Sequence, residues 1–113
     1  MTDAASHTLS EADEGRVIRL APGEAIDVRL PENATTGFRW NLEQAVEPIL
    51  RLIDESVVQA QGGGVGAGGT RRMRFAAAQV GDADLRLALS RAWEGEESVT
   101  RRFGVRVEVR TLR

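Results

Sequence analysis

The sequence predicts an all-β protein, and more closely an antiparallel β-sandwich of about seven to eight short strands. Apolar and polar residues alternate along most of the chain, which is the pattern of a strand with one buried face. These runs recur at a spacing of about 10–15 residues, with turn-rich segments between them. The one stretch with helical periodicity, Leu42 to Ile53, contains Pro48, which interrupts a helix. Alternation and spacing of this kind are typical of an immunoglobulin-like sandwich.

Four runs alternate most regularly, and we expect each to be a strand whose apolar residues face between the two sheets. In chain order, these apolar residues are Ile26, Val28 and Leu30; Phe38, Trp40 and Leu42; Leu85, Leu87 and Leu89; and Phe103, Val105, Val107 and Val109. Met73 and Phe75 alternate with arginines in a fifth run. Residues 16–20 and 49–60 are weaker strand predictions, because their alternation slips as it does at a β-bulge or where a strand crosses between sheets.

The length of 113 residues is enough for one hydrophobic core but not for two. Hydrophobic residues are 42% and charged residues 28%, as in an ordinary folded domain. We therefore predict a single sandwich domain over residues 15–113. Residues 1–14 form a polar leader that we predict to be disordered.

Charge and hydropathy exclude two classes of partner. The formal net charge of -2 at pH 7 provides no positive field for nucleic acid. No apolar run approaches the ~20 residues that span a membrane. The leader has neither the basic nor the apolar segment of a signal peptide. We expect a monomer in the cytoplasm, unless a cleaved leader preceded this chain, with neither nucleic acid nor a membrane as a partner.

The chain lacks the residues for most active-site chemistry. It contains no cysteine, which excludes disulfides, thiolate metal sites and cysteine nucleophiles. Its single histidine, His7, lies in the polar leader, where we predict a solvated tail residue rather than a general base. No motif places a pair of carboxylates. We therefore expect no enzymatic activity, no metal site and no cofactor.

The most unusual stretch is residues 62–70, Gly-Gly-Gly-Val-Gly-Ala-Gly-Gly-Thr, which has six glycines in its first eight positions. Its spacing satisfies the dinucleotide-binding pattern G-x-G-x-x-G, but that pattern requires a helix after the glycines. Here residues 70–75 alternate as a strand, and no Gly-Lys-Ser/Thr follows as in a P-loop. Two interpretations remain: a flexible surface connector, or a loop that lets a partner's backbone approach closely.

Two other loops carry short motifs. Residues 33–40 read Asn-Ala-Thr-Thr-Gly-Phe-Arg-Trp and also suit a plain turn in which Gly37 supplies a positive φ. Residues 90–98 contain Trp93 beside four charged residues. A tryptophan flanked by polar residues is often a binding anchor, and the alternative is that Trp93 folds back onto the sandwich. Trp40, in the inward register of its strand, is predicted to be a core residue.

Taken together, the order of these motifs resembles the chagasin-type inhibitors of papain-like cysteine proteases. That family carries Asn-Pro-Thr-Thr-Gly-Tyr/Phe, then Gly-x-Gly-Gly, then Arg-Pro-Trp. The corresponding residues here are Asn33, Ala34, Thr35, Thr36, Gly37 and Phe38; Gly66, Ala67, Gly68 and Gly69; and Arg91, Ala92 and Trp93. The resemblance runs from about Val17 to Val109. Each motif is weak alone, but the three in this order on an all-β chain are specific.

The resemblance implies a reversible inhibitor, not an enzyme, with three loops at one end of the sandwich that occlude the cleft of a papain-like cysteine protease. The two threonines of the first motif would lie over the catalytic cysteine, and the glycine loop would lie along one side of the cleft. Arg91 and Trp93 would grip the other side. Ala34 and Ala92 replace the two motif prolines. Because proline pre-orders a loop, worth ~0.4–1 kcal/mol per site, we expect both replacements to soften the loops.

The alternative function is an immunoglobulin-like binding module for adhesion or carbohydrate recognition. Such a module would use Trp93 and the threonine loop without inhibiting a protease. Stoichiometric inhibition of papain favours the inhibitor, and sugar binding without inhibition favours the module.

Overall fold

Eight strands in the described part of the chain form two four-stranded sheets that pack as a sandwich. The computed structural model describes residues 6–33, 36–59, 68–91 and 93–111. The strands are β1 Ser6–Leu9, β2 Val17–Leu20, β3 Ala25–Glu32, β4 Phe38–Leu42, β5 Leu50–Gln59, β6 Gly69–Ala77, β7 Gly81–Arg91 and β8 Arg101–Val109. The first sheet has the order β1-β3-β6-β5, and the second sheet has the order β2-β8-β7-β4.

Short 3-10 helices lie at Glu11–Asp13 and Gly95–Ser98. Neither they nor any other helix within the described ranges has the length and apolar character needed to cross a bilayer.

The hydrophobic core lies between the sheets and follows directly from the alternation in the sequence. Its largest fully buried side chains come from both sheets: Trp40, Phe75, Ile26, Leu30, Leu50, Leu85, Leu87, Val28, Val107 and Val109. The predicted inward faces of the four clearest runs are therefore confirmed, although Phe38, Leu42 and Leu89 are only partly buried. Burial of one face of each strand specifies the register, because a slip by one residue would turn that face to solvent.

The two weaker strand predictions are also confirmed, as β2 and β5. β5 shifts its register against β6 between Leu52 and Asp54, which is the irregularity that the slipped alternation indicated. Residues 43–49 turn between the sheets instead of forming a helix, and Val46 from this turn reaches the core.

The β-sandwich that the sequence predicts is confirmed, and the described strands include parallel as well as antiparallel pairings. β1 pairs parallel with β3, and β2 pairs parallel with β8. Both pairs lie at a sheet edge. The chain passes from β1 through β2 in the opposite sheet before it returns as β3, so β1 and β3 can run in the same direction.

The prediction of a disordered leader over residues 1–14 is wrong for the part that the structure describes. Residues 6–9 form β1, in which His7 is a strand residue and Leu9 joins the core. Ser10 then caps the 3-10 helix with its side chain, and Asp13 accepts a hydrogen bond from the Ser10 N–H at 2.9 Å. Polar composition concealed this strand, because an edge strand is held largely by main-chain hydrogen bonds that any residue provides.

The outer face of the first sheet carries a cluster of charges around Asp27. This carboxylate is only 4% exposed and lies 2.8 Å from Arg74, 3.2 Å from Arg72 and 3.4 Å from Arg29. Burial by itself raises the pKa of Asp27, but hydrogen bonds from Arg74 and Arg72 more than compensate, and the net pKa is below its ordinary value. The Asp27 carboxylate therefore stays charged between β3 and β6.

Candidate functional site

The ends of the strands that flank the three motif loops lie together at one end of the sandwich. Gly69 at the start of β6 pairs with Glu32 at the end of β3 and with Gln59 at the end of β5. In the second sheet, Phe38 at the start of β4 pairs with Arg91 at the end of β7. The topology therefore brings all three sequence motifs to the same end of the sandwich, which we name the loop end.

Most of the predicted site residues fall within the described chain. The structure places eight of them at the loop end: Asn33, Thr36, Gly37, Phe38, Gly68, Gly69, Arg91 and Trp93. The other five lie outside the described residues: Ala34, Thr35, Gly66, Ala67 and Ala92.

Thr36 closes the first loop on itself. Its hydroxyl donates to the Asn33 carbonyl at 2.8 Å, and its N–H donates to the same carbonyl at 3.1 Å. The hydroxyl oxygen also accepts from the Phe38 N–H at 3.2 Å. Gly37 has a φ of 81°, so the positive φ expected from the sequence is confirmed. A short threonine-glycine turn therefore leads the chain from the first sheet into the second.

Arg91 fastens this turn to the third loop. Its Nε donates to the Thr36 carbonyl at 3.3 Å, and its guanidinium lies 4.5 Å from the centroid of the Phe38 ring. Contacts of a cation with an aromatic face stabilise by about 0.5–2 kcal/mol, depending on how far the pair is desolvated. Arg91 also lies 3.5 Å from Glu94, a half-exposed ion pair of small energetic value.

The third loop is held by hydrogen bonds to the main chain of Arg91. The Arg91 N–H donates to the Ser98 hydroxyl at 2.9 Å, and that hydroxyl donates back to the Arg91 carbonyl at 3.2 Å. The Glu94 N–H donates to the same carbonyl at 3.0 Å. These bonds define the turn that presents Trp93.

The two tryptophans occupy opposite environments. Trp93 is 72% exposed, whereas Trp40 is 1% exposed. The Trp40 indole N–H donates to the Pro31 carbonyl at 2.8 Å, so its one polar group is satisfied inside the core. The Trp93 ring rests against Gly37, where an added Cβ would lie 2.6 Å from Cη2. The sequence predictions of a core Trp40 and a Trp93 at the protein surface are confirmed.

Sequence reasoning missed one feature of the loop end, the ion pair between Glu32 and Arg71. Glu32 is 3% exposed, and its two oxygens accept from Arg71 Nε at 2.9 Å and Nη2 at 2.8 Å. The hydrogen bond to Glu32 raises the pKa of the Arg71 guanidinium above its ordinary value. A signal was present in the sequence. Glu32 continues the inward register of Ile26, Val28 and Leu30, and Arg71 continues that of Met73 and Phe75.

The loop end offers contact surfaces rather than catalytic groups. His7 pairs in register with Ile26 near the start of β3, away from the loop end. Among the described residues, no cluster of histidine, aspartate and glutamate could hold a metal ion. What this edge presents is an exposed indole, a threonine turn and the two strand ends that border the glycine stretch.

Comparison with known proteins assigns the chain to a family. Residues 19–107 match the model of the chagasin family of peptidase inhibitors. Chagasin of Trypanosoma cruzi is 28% identical over 104 residues, covering 88% of this chain and 94% of that protein.

Two solved structures share the fold. The cysteine protease inhibitor EhICP2 from Entamoeba histolytica superposes with a TM-score of 0.86 at 24% identity, covering 97% of this chain and 100% of its own. PbICP-C, solved in complex with falcipain-2, superposes with a TM-score of 0.58 at 16% identity, covering 97% of this chain and 94% of its own. The chain therefore belongs to the chagasin family of peptidase inhibitors, whose members block proteases and are not enzymes.

Proposed function

We propose that this protein is a reversible inhibitor of papain-like cysteine proteases that occludes the active-site cleft with its loop end. The observation that carries the proposal is the convergence of the three motif loops at one end of a sandwich, beside an exposed Trp93. Family membership supports the same class of activity.

The first loop is the wedge that enters the centre of the cleft. Its threonines and Gly37 are small, so the chain can approach a catalytic thiolate and imidazolium closely. The Thr36 hydroxyl links the two described sides of this loop, since it donates to the Asn33 carbonyl and accepts from the Phe38 N–H. We expect the loop to block the site without being cut.

The glycine loop and Trp93 contact the two sides of the cleft. Glycines allow main-chain hydrogen bonds with the protease at close range. Trp93 supplies a large apolar surface that is already exposed in the free protein, which is the character of a binding hot spot. Arg91 contributes mainly by holding the first loop in place, because its guanidinium already contacts the Thr36 carbonyl and the Phe38 ring.

Titration of active papain with the purified protein tests this function. We expect activity to fall linearly to zero at one inhibitor per protease, and we expect the inhibitor to be recovered intact after dissociation. Progressive cleavage of the chain would identify it as a substrate instead. Binding of a carbohydrate without any inhibition would favour the alternative binding module.

A further inference from the structure

The inward-facing carboxylate of Glu32 joins the segments that lead into and out of the threonine loop. Its Oε1 accepts from the Trp40 main-chain N–H at 2.8 Å and from Arg71 Nε at 2.9 Å. Glu32 is the last residue of β3, directly before Asn33, and Trp40 lies two residues after the start of β4. One side chain therefore fixes the separation of the two strands between which the loop crosses.

The guanidinium of Arg71 does the same for the glycine stretch. Arg71 lies on β6 two residues after Gly69, and its Nη1 donates to Glu55 on β5 at 2.6 Å. Its side chain is only 12% exposed. Arg71 therefore links the strands on both sides of the glycine stretch, and through Glu32 it links them to the threonine loop.

Stability alone is a weak explanation for charges at these positions. Both residues stand in inward registers that Val, Leu or Phe occupy elsewhere in the same strands. Burying two charges costs desolvation energy, and well-packed apolar residues of similar volume often serve stability equally well or better. A bidentate carboxylate–guanidinium pair adds direction, because it permits only a narrow range of distances and angles.

We propose that Glu32 and Arg71 are a positioning pair, which holds the strand ends bordering the threonine loop and the glycine stretch in the arrangement needed for inhibition before a protease arrives. The proposal rests on the proposed inhibitory function. Both side chains are nearly buried, so neither offers a contact surface to the protease. Their effect is on the fraction of free molecules whose loops fit the cleft, and apparent affinity falls in proportion to that fraction.

The test compares Glu32→Gln with Asp27→Asn in the full chain. The two changes are matched, because each neutralises a nearly buried carboxylate on β3 that is paired with arginine on β6. They differ in place, since Asp27 lies on the outer face of the sheet and Glu32 lies at the loop end. The side-chain amide introduced by Glu32→Gln keeps an acceptor for the Trp40 N–H, and the change removes the charge of the pair and the acceptor for Arg71 Nη2.

For Glu32→Gln we expect the association rate constant with papain to fall about tenfold and the dissociation rate constant to change little. This is the result expected when a smaller fraction of the free inhibitor has loops that fit the cleft. Asp27→Asn should leave both rate constants within about twofold, even where it lowers the denaturant midpoint by as much as Glu32→Gln. In the free protein, amide exchange at Thr36 should accelerate only in Glu32→Gln. Arg71→Met should act like Glu32→Gln, and the double variant should be no worse than either single variant.

Equal inhibition rates for Glu32→Gln and Asp27→Asn would overturn the positioning role and leave the inhibitory function intact. Absence of inhibition by the unaltered chain would overturn both proposals together. If Glu32→Gln does not fold, Arg71→Lys tests the proposal instead, because lysine keeps the positive charge but cannot form the bidentate pair with Glu32. A slower association for this variant supports the pair, and failure of both variants to fold would assign the pair to folding and overturn the proposal.

Discussion

The core beneath the loop end and the edge above it use the same residue type for opposite purposes. Trp40 is enclosed and has both its main-chain and its indole N–H satisfied, by Glu32 and by the Pro31 carbonyl. Trp93 is exposed and leans on Gly37 and toward Arg91, whose guanidinium lies 6.0 Å from its ring. Buried contacts therefore hold this end of the sandwich in place, whereas exposed side chains such as Trp93 are available for recognition.

The largest expected effect is a loss of stability when the buried tryptophan is removed. Trp40→Ala removes the largest of the fully buried side chains and should lower the free energy of unfolding by about 3–5 kcal/mol. The substitution also removes the indole N–H that donates to the Pro31 carbonyl. Denaturant midpoints measure the loss, and a midpoint close to that of the unaltered chain would contradict the assignment of Trp40 to the core.

Trp93→Ala removes the exposed tryptophan and should affect inhibition rather than stability. We expect it to weaken inhibition of a papain-like protease by about 2–4 kcal/mol, the range of an interfacial hot spot. The free energy of unfolding should stay within about 0.5 kcal/mol, since the side chain is mostly in solvent. Inhibition constants and denaturant midpoints are measured together with those of Trp40→Ala. An unstable Trp93→Ala beside a stable Trp40→Ala would reverse the comparison.

Gly37→Ala acts at the point where the two regions meet. The left-handed conformation of Gly37 costs about 1–2 kcal/mol for a residue with a Cβ. The new methyl group would also displace the Trp93 ring, because the two would be 2.6 Å apart. Inhibition should therefore weaken by about 1–2 kcal/mol as part of the Trp93 contribution is lost.

Gly23→Ala is the matched control for Gly37→Ala. Gly23 has a φ of 93° and open space around its Cβ position, and it lies in the turn between β2 and β3 at the other end of the sandwich. It should reproduce the loss of stability without the loss of inhibition. Weakened inhibition by both variants would show that strain anywhere in the sheet disturbs the loops.

The smallest effect on stability is expected at the border of the glycine stretch. Gly68 has no positive φ, and no heavy atom lies within 4 Å of the place where a Cβ would stand. Gly68→Ala should therefore leave the free protein as stable as before or more stable by about 0.4–1 kcal/mol. Weaker inhibition would then report a close main-chain approach of the protease. Unchanged inhibition by Gly68→Ala and by Gly66→Ala would make the stretch a passive connector.

Much of the architecture could be predicted because burial acts on each strand separately. Alternation in a run such as 103–109 identifies a strand and its inward face before any partner strand is known. The slipped alternation in residues 49–60 indicated an irregular strand, and the structure shows it as a register shift in β5. β1 escaped prediction because only one of its four side chains, that of Leu9, joins the core, and its main-chain bonds to β3 leave little trace in the sequence.

Local sequence was enough to predict the class of fold, the inward face of each major strand and the three motifs, because all of these depend on residues that are close together along the chain. Only the tertiary structure decided that Glu32 pairs with Arg71, 39 residues away, and that Arg91 closes on Thr36, 55 residues away. Such contacts depend on the register between strands and on how two sheets meet. The physical reason is that an inward charge is unfavourable until a partner from another strand neutralises it, and only the folded chain supplies that partner.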